Sequence, residues 1–391
     1  MSDQPPTQRT RVEPASPTPA TATLPAREPL DTPETIDPLH QLAAPETIDP
    51  LDQVAAPESP GQVDPPEGLD DAGVELSDGI RLRVEQVGPA TAPITVVLLH
   101  GWTLDHRTWH RQVSALVEHL GDAVRVISYD ARGHGRSGVS HLGTANLARL
   151  GDDLAELLYR LAPTGPVVLV GHSLGGMTIM EYAHRHPDDF AARIAGLVFV
   201  ATTAEGHTHT CYGLPTRLTW LIRLAETTGA GVLARCGGLR TPQPVLQALR
   251  PSLRWLLFGD DCAPEDIRLT TSAVARAALV AIGGLRSSIG RQHRLDTLTA
   301  LGDLPVAALV GDRDRLTPPR CTESIVDALP DTELTVCPGA GHMLMLERPD
   351  EVNAALLEVV RRALAPIPTQ RRPAHTEPSG RRHTEPPGPP H

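Results

Sequence analysis

The chain has 391 residues, 39 of them proline, and a formal net charge of −12, yet prolines and charge are both concentrated at its ends. Residues 1–72 hold 15 prolines and 14 acidic residues against three arginines, and residues 366–391 hold eight more prolines, so the middle carries only about −3 and offers no basic face for nucleic acid. Lysine is absent throughout, which excludes Schiff-base, P-loop and kinase-type lysine chemistry.

The terminal segments contain too little apolar material to offset the entropy of ordering them. Residues 1–72 and 366–391 are therefore expected to be disordered and residues 73–365 to fold. The first segment carries a tandem near-repeat, residues 33–44 and 45–56, each opening Pro-Glu-Thr-Ile-Asp-Pro-Leu. Two twelve-residue copies are too few to stack as a solenoid. They read first as a low-complexity linker, and second as short helices that could show Leu39 and Leu42, or Leu51 and Val54, to a protein partner. Five widely spaced cysteines without a C-x-x-C suggest neither a disulfide framework nor a zinc site. The chain opens without a charged segment followed by an apolar one, and no apolar run approaches the length of a membrane span, so a cytoplasmic protein is expected.

In chain order, Val74 to Val84 alternates in polarity around Asp78-Gly79, a hairpin signal. Ile94 to Leu99 and Val124 to Tyr129 are continuous apolar runs that suit strands buried on both faces, and each leads into a glycine-bearing loop, His100-Gly101-Trp102 and Asp130 to Gly138. Helices are expected over 106–120 and 146–161, the second with Leu147, Leu150, Leu154, Leu157, Leu158 and Leu161 at helical spacing. Val167 to Val170 reads as another buried strand, Gly171-His172-Ser173-Leu174-Gly175 as a sharp turn, and Leu174 onward as a helix. Strands follow at 194–200, 306–310 and 333–337, with helices from Pro318 and Pro349. This alternation implies an α/β fold, a doubly wound and mostly parallel sheet with ligand chemistry at the carboxyl ends of its strands. An insert over about 203–289 breaks the rhythm. It is helical in character, punctuated by glycines and prolines, and placed to form a helical cap over those strand ends.

A G-x-S-x-G between a strand and a helix is a nucleophile elbow, with small residues where backbone must pass close by. A serine hydroxyl is a poor nucleophile at neutral pH, so Ser173 needs a general base and an acid that orients it. Two later strand ends offer them, Gly311-Asp312-Arg313-Asp314 and Gly339-Ala340-Gly341-His342. Asp312, Asp314 and, after the strand at 194–200, Glu205 are all candidates for the acid. His207 and His209, with Cys211 nearby, lack a second ligand cluster at suitable spacing and read as surface loop, not as a metal site.

Taken together these motifs make the chain from about Gly73 to Ala365 resemble the α/β-hydrolase family, specifically its capped, esterase-like members. His100-Gly101-Trp102 resembles the family's oxyanion loop, Asp130 to Ser137 the loop after its next strand, Gly171 to Gly176 its elbow, Gly311 to Asp314 its acid loop, and Gly341-His342 with Glu347-Arg348-Pro349 its histidine loop. The resemblance implies Ser173 as nucleophile, His342 as base and Asp314, third after its glycine, as acid in preference to Asp312 or Glu205. It implies an oxyanion hole from the backbone N–H groups of Trp102 and Leu174, loop-packing roles for His100, His134 and His172, and no cofactor or metal. Asp130 and Arg132 are expected to brace their loop by a charge-assisted bond. The expected function is a serine hydrolase that cleaves an ester, thioester or lactone of a small, partly apolar molecule through an acyl-enzyme. Serine at the elbow, where relatives acting on epoxides or haloalkanes carry aspartate, speaks against those substrates. Alternatives of the same fold are a cofactor-free haloperoxidase or perhydrolase, a C–C bond hydrolase, and a non-catalytic ligand-binding or scaffold member. The presence of all three triad residues weighs against the last.

Overall fold

The computed structural model describes residues 8–10 and 73–365, apart from 142, 207, 211 and 213. The hairpin forms as expected: β2 (Gly73–Glu75) and β3 (Arg81–Val87) pair antiparallel, and Gly79 makes the turn at φ +80°. Six strands then run parallel to one another: β4 (Ile94–Leu99), β5 (Val124–Tyr129), β6 (Val167–His172), β7 (Ile194–Val200), β8 (Val306–Gly311) and β9 (Glu333–Cys337). Within the segment expected to lack structure, Gln8–Thr10 (β1) pairs antiparallel with β9 and so covers an otherwise open sheet edge. The tandem repeat and the C-terminal tail lie outside the described residues. Among the described residues the strand order is β1-β9-β8-β7-β6-β4-β5-β3-β2.

The continuous apolar runs are explained by the two layers of helix. Alternate side chains of one strand point to opposite faces, so Val97 and Leu99 of β4 join one core and Ile94, Val96 and Leu98 the other. The first core is closed by α2 (Leu147–Leu161) and α3 (Leu174–Arg185), the second by α1 (His110–Leu120) and α12 (Pro349–Leu364). Local signals set the helix ends. The Asn146 side chain accepts from the Arg149 N–H at 2.9 Å, and α12 opens with Pro349, Asp350 and Glu351 and closes with Arg361 and Arg362, charges that complement its dipole. A helix at Pro319–Ala328 (α10) also follows its proline. Three short helices were not foreseen: α4 (Pro187–Arg193), α9 (Leu295–Thr299) and α11 (Leu344–Glu347). Each is too short to show a periodicity.

The insert is helical: α5 (Thr216–Leu233), α6 (Gln243–Leu257), α7 (Pro264–Arg276) and α8 (Leu279–Gly290). It joins the sheet through loops that follow strand ends. The Ala278 N–H donates to the Gly133 carbonyl at 2.8 Å, the Asp260 N–H to Gly339 at 2.9 Å, and Arg276 stands 3.7 Å from Asp105. Gly133, Gly339 and Asp105 come after β5, β9 and β4, so the insert caps the carboxyl end of the sheet. From β4 the chain moves to β5 on one side and then crosses to β6 on the other. Loops leaving β4 and β6 therefore diverge, and the crevice between them is where an open α/β sheet binds its ligand.

Candidate active site

Ser173 stands at that crevice, between the last residue of β6 and the first of α3. Its backbone is at φ +50°, ψ −113°, a region that costs a residue with a Cβ about 1–3 kcal/mol. Three bonds hold it there: the Ser173 N–H donates to Val200 at 3.0 Å, and its carbonyl accepts from the Thr202 hydroxyl at 2.7 Å and the Met177 N–H at 3.2 Å. The flanking glycines are required by close approach. A Cβ on Gly171 would lie 2.4 Å from the Gly176 nitrogen, and one on Gly175 would lie 2.2 Å from the Leu99 carbonyl oxygen. No side chain caps α3, so its first-turn N–H groups, that of Leu174 among them, have no side-chain acceptor. The loop with Trp102 rests against the same turn, since a Cβ on Gly101 would come within 2.5 Å of His172 Nδ1.

Asp314 and His342 follow the neighbouring strands β8 and β9, and both are buried. His342 Nδ1 lies 2.8 Å from Asp314 Oδ2. The carboxylate is oriented by its other bonds: Oδ1 accepts from the N–H groups of Leu316 at 2.8 Å and Thr317 at 2.9 Å, and Oδ2 also accepts from the Thr317 hydroxyl at 2.8 Å. The His342 ring is 4.7 Å from that of His172, whose Nε2 is 3.0 Å from the His342 carbonyl oxygen, so the histidine loop sits against the residue preceding Ser173. The other candidate acids are engaged elsewhere. Asp312 accepts from the Gly339 N–H at 2.7 Å, and Glu205 pairs with His209 at 2.9 Å. His207 and Cys211 lie outside the described residues.

Around this centre three further histidines, His100, His134 and His172, are buried. His100 Nδ1 lies 2.8 Å from the Gly101 carbonyl while its Nε2 accepts from the Ala131 N–H at 2.9 Å, which assigns the proton to Nδ1. Burial pulls His100 below the usual histidine range. Burial, with His100 nearby, takes His134 down to about 4, and burial, with His342 nearby, takes His172 well down. Asp130 and Arg132 brace their loop through separate partners, not through each other. Asp130 accepts from the His106 N–H at 2.9 Å, His106 Nδ1 at 2.6 Å and the Arg136 N–H at 2.8 Å, whereas Arg132 pairs with Asp153 at 2.6 Å and Asp78 at 3.0 Å. Burial alone would raise Asp130, but the bonds from His106 hold it well below the usual carboxylate range. Among the described residues Asp105, His106 and Asp130 are spaced to hold a metal ion. Their side chains also have protein partners, Asp105 with Arg107 at 2.6 Å and His106 with Glu85 at 3.1 Å.

One residue of the site had no role assigned from sequence. Glu347 accepts from the Gly259 N–H at 2.7 Å, Gly341 at 3.0 Å and Met343 at 3.2 Å, so it clasps both sides of His342 and ties them to the end of α6. Leu257 adds a second tie, its carbonyl accepting from His342 at 2.8 Å and Met343 at 3.2 Å. The backbones meet closely here, since a Cβ on Gly341 would lie 2.5 Å from the Gly259 nitrogen. Burial pushes the Glu347 carboxyl up against the pull of these donors. The only sequence signal was its place in Glu347-Arg348-Pro349, just before a helix.

Residues 96–355 match the profile described as Alpha/beta hydrolase family. A Variovorax paradoxus protein named as a carbamate hydrolase is 29% identical over 73% of this chain and 98% of its own. The pimeloyl-[acyl-carrier protein] methyl ester esterase of Yersinia enterocolitica is 24% identical over 67% of this chain and 92% of its own. Among solved structures, a thermophilic esterase from Thermogutta terrifontis is similar at a TM-score of 0.59 and 28% identity, over 74% of this chain and 98% of that one.

Proposed function

Since the chain belongs to the alpha/beta hydrolase family, we propose that it is a serine hydrolase of small-molecule esters, thioesters or lactones, with Ser173 as nucleophile, His342 as base and Asp314 as acid. The observation that carries this reading is the buried Asp314–His342 pair at 2.8 Å, set against an elbow whose serine is held at positive φ. With Nδ1 bound to Asp314, the imidazole keeps Nε2 to take the proton of the Ser173 hydroxyl as Oγ attacks the carbonyl carbon. The backbone N–H groups of Trp102 and Leu174 stabilise the oxyanion, and the Leu174 donor adds the field of the α3 N-terminus. His342 then protonates the leaving group and activates the water that releases the acyl group. Names of two relatives, an ester hydrolase and a carbamate hydrolase, support a substrate in which a carbonyl carries a heteroatom leaving group.

A fluorophosphonate probe tests this directly, because it needs both an activated oxygen and the oxyanion donors. Ser173 is expected to be labelled, His342→Ala to label far more slowly, and Ser173→Ala not at all. A folded protein that stays unlabelled and hydrolyses none of a panel of chromogenic esters, thioesters and lactones overturns the reading in favour of a ligand-binding member.

A further inference from the structure

The outer surface of the cap is built against the usual order. Nine of the twelve large apolar side chains left exposed among the described residues lie between Leu218 and Trp255, on α5, α6 and the link joining them. On α5, Leu221, Leu224, Thr228 and Val232 follow a spacing of three, four and four, which lines up one helix face. Such a stripe ordinarily packs on a core, yet Leu221 is 53% exposed, Leu224 51% and Val232 62%, with Trp220 beside them at 61%. The helix packs with its small residues instead: Ala230 is buried, and a Cβ on Gly283 of α8 would lie 2.3 Å from the Ala230 carbonyl oxygen.

Charge sets this surface apart a second time. Residues 214–258 hold six arginines and one acidic residue, a net of +5, so the rest of the chain, with −12 overall, carries −17. The single acid, Glu226, is taken up by Arg286 and by the Tyr212 hydroxyl. Arg217, Arg235 and Arg250 are exposed.

We propose that this basic, apolar stretch of the cap, from α5 to α6, docks on an anionic phospholipid bilayer. Leucine, valine and tryptophan side chains enter the boundary between headgroups and acyl chains while the arginines meet phosphate. Both tryptophans of the stretch, Trp220 and Trp255, are exposed, as side chains with an apolar body and a polar edge are at such a boundary. A second copy of the chain is disfavoured as the occupant, because a twofold contact through this face would set like charges together. No described helix is long and apolar enough to cross a membrane, so α5 and α6 lie on the surface. The cap covers the strand ends that carry Ser173, so docking presents the site to esters held in the bilayer. This last step rests on the hydrolase reading, whereas docking does not.

The test uses the full chain carrying Ser173→Ala, which separates binding from turnover, and vesicles of phosphatidylglycerol with phosphatidylcholine or of phosphatidylcholine alone. The protein should float with the anionic vesicles, shift its tryptophan emission to the blue, and detach as salt rises. Arg217→Ala with Arg250→Ala should weaken partitioning about 25-fold, about fivefold for each arginine lost from the surface. Leu221→Ser with Leu224→Ser should weaken it at least about tenfold while leaving salt dependence in place. Introduced instead into the protein that keeps Ser173, both pairs should leave the rate of hydrolysis of a water-soluble ester unchanged. Equal binding to both vesicle types, no flotation, or unchanged flotation of the arginine pair overturns the proposal. So does a dimer in light scattering that Leu221→Ser with Leu224→Ser dissociates, which would make the face a subunit interface.

Discussion

Replacing Glu347 isolates how the cap holds the histidine loop. In Glu347→Ala three backbone N–H groups, those of Gly259, Gly341 and Met343, lose their acceptor together. A buried donor left without a partner costs about 1–3 kcal/mol, and because the Glu347 side chain is only partly buried, water replaces part of the loss; about 2–4 kcal/mol in all is expected. For a folded body of this size that is a fall in Tm of roughly 4–12 °C. Turnover should fall further than stability suggests, because Gly341 and Met343 flank His342 and a misplacement of about 1 Å costs about 100-fold. Since the Glu347 carboxylate is spent on backbone N–H groups, the loss should lie in kcat with KM little changed. Glu347→Gln retains one acceptor oxygen and should fall between. Differential scanning calorimetry, with kcat and KM on a soluble ester at a temperature where all variants are folded, reads both effects. A Glu347→Ala protein with wild-type Tm and kcat within twofold would show that the three bonds do not position His342.

Other outcomes follow from the same geometry. Asp314→Asn should lower turnover by about 10⁴, by analogy with triads in which the acid fixes the imidazole tautomer, while Asp312→Asn should change it little; the reverse ranking in a steady-state assay would move the acid. Ser173→Gly should abolish hydrolysis yet raise Tm by a few degrees, because glycine takes φ +50° without strain and the gain of about 1 kcal/mol is otherwise held by the elbow; a lower melting temperature refutes the strain. Stability should fall as pH drops from about 6.5 towards 4, since the unfolded chain binds protons there that buried His134, at about 4, refuses. His134 alone accounts for up to about 3 kcal/mol, fully present above pH 6.5 and lost on the way down, with His100 and His172 acting in the same direction. Urea midpoints that stay flat between pH 7 and 4.5 would contradict this.

Much of this molecule is legible in its sequence. Apolar runs such as Ile94 to Leu99 and Val167 to Val170 mark strands covered on both faces, because only such strands need no polar side. Gly171-His172-Ser173-Leu174-Gly175 states its own geometry, since glycine is the one residue that fits where a Cβ would lie 2.2–2.4 Å from backbone. Those are local properties, set by residues a few positions apart, and the sequence by itself determined them. Three acids stood near strand ends, and which one meets His342 depends on how the loops after β8 and β9 lie against each other, so the 2.8 Å contact of Asp314 was a decision of the tertiary structure. So was the clasp of Glu347, whose partners Gly259 and Gly341 are 88 and 6 residues away. The cap makes the same point most plainly: helical spacing reveals that α5 has an apolar face, but only packing decides whether that face turns inward, and here the small residues took the contact with α8 and left the leucines outside.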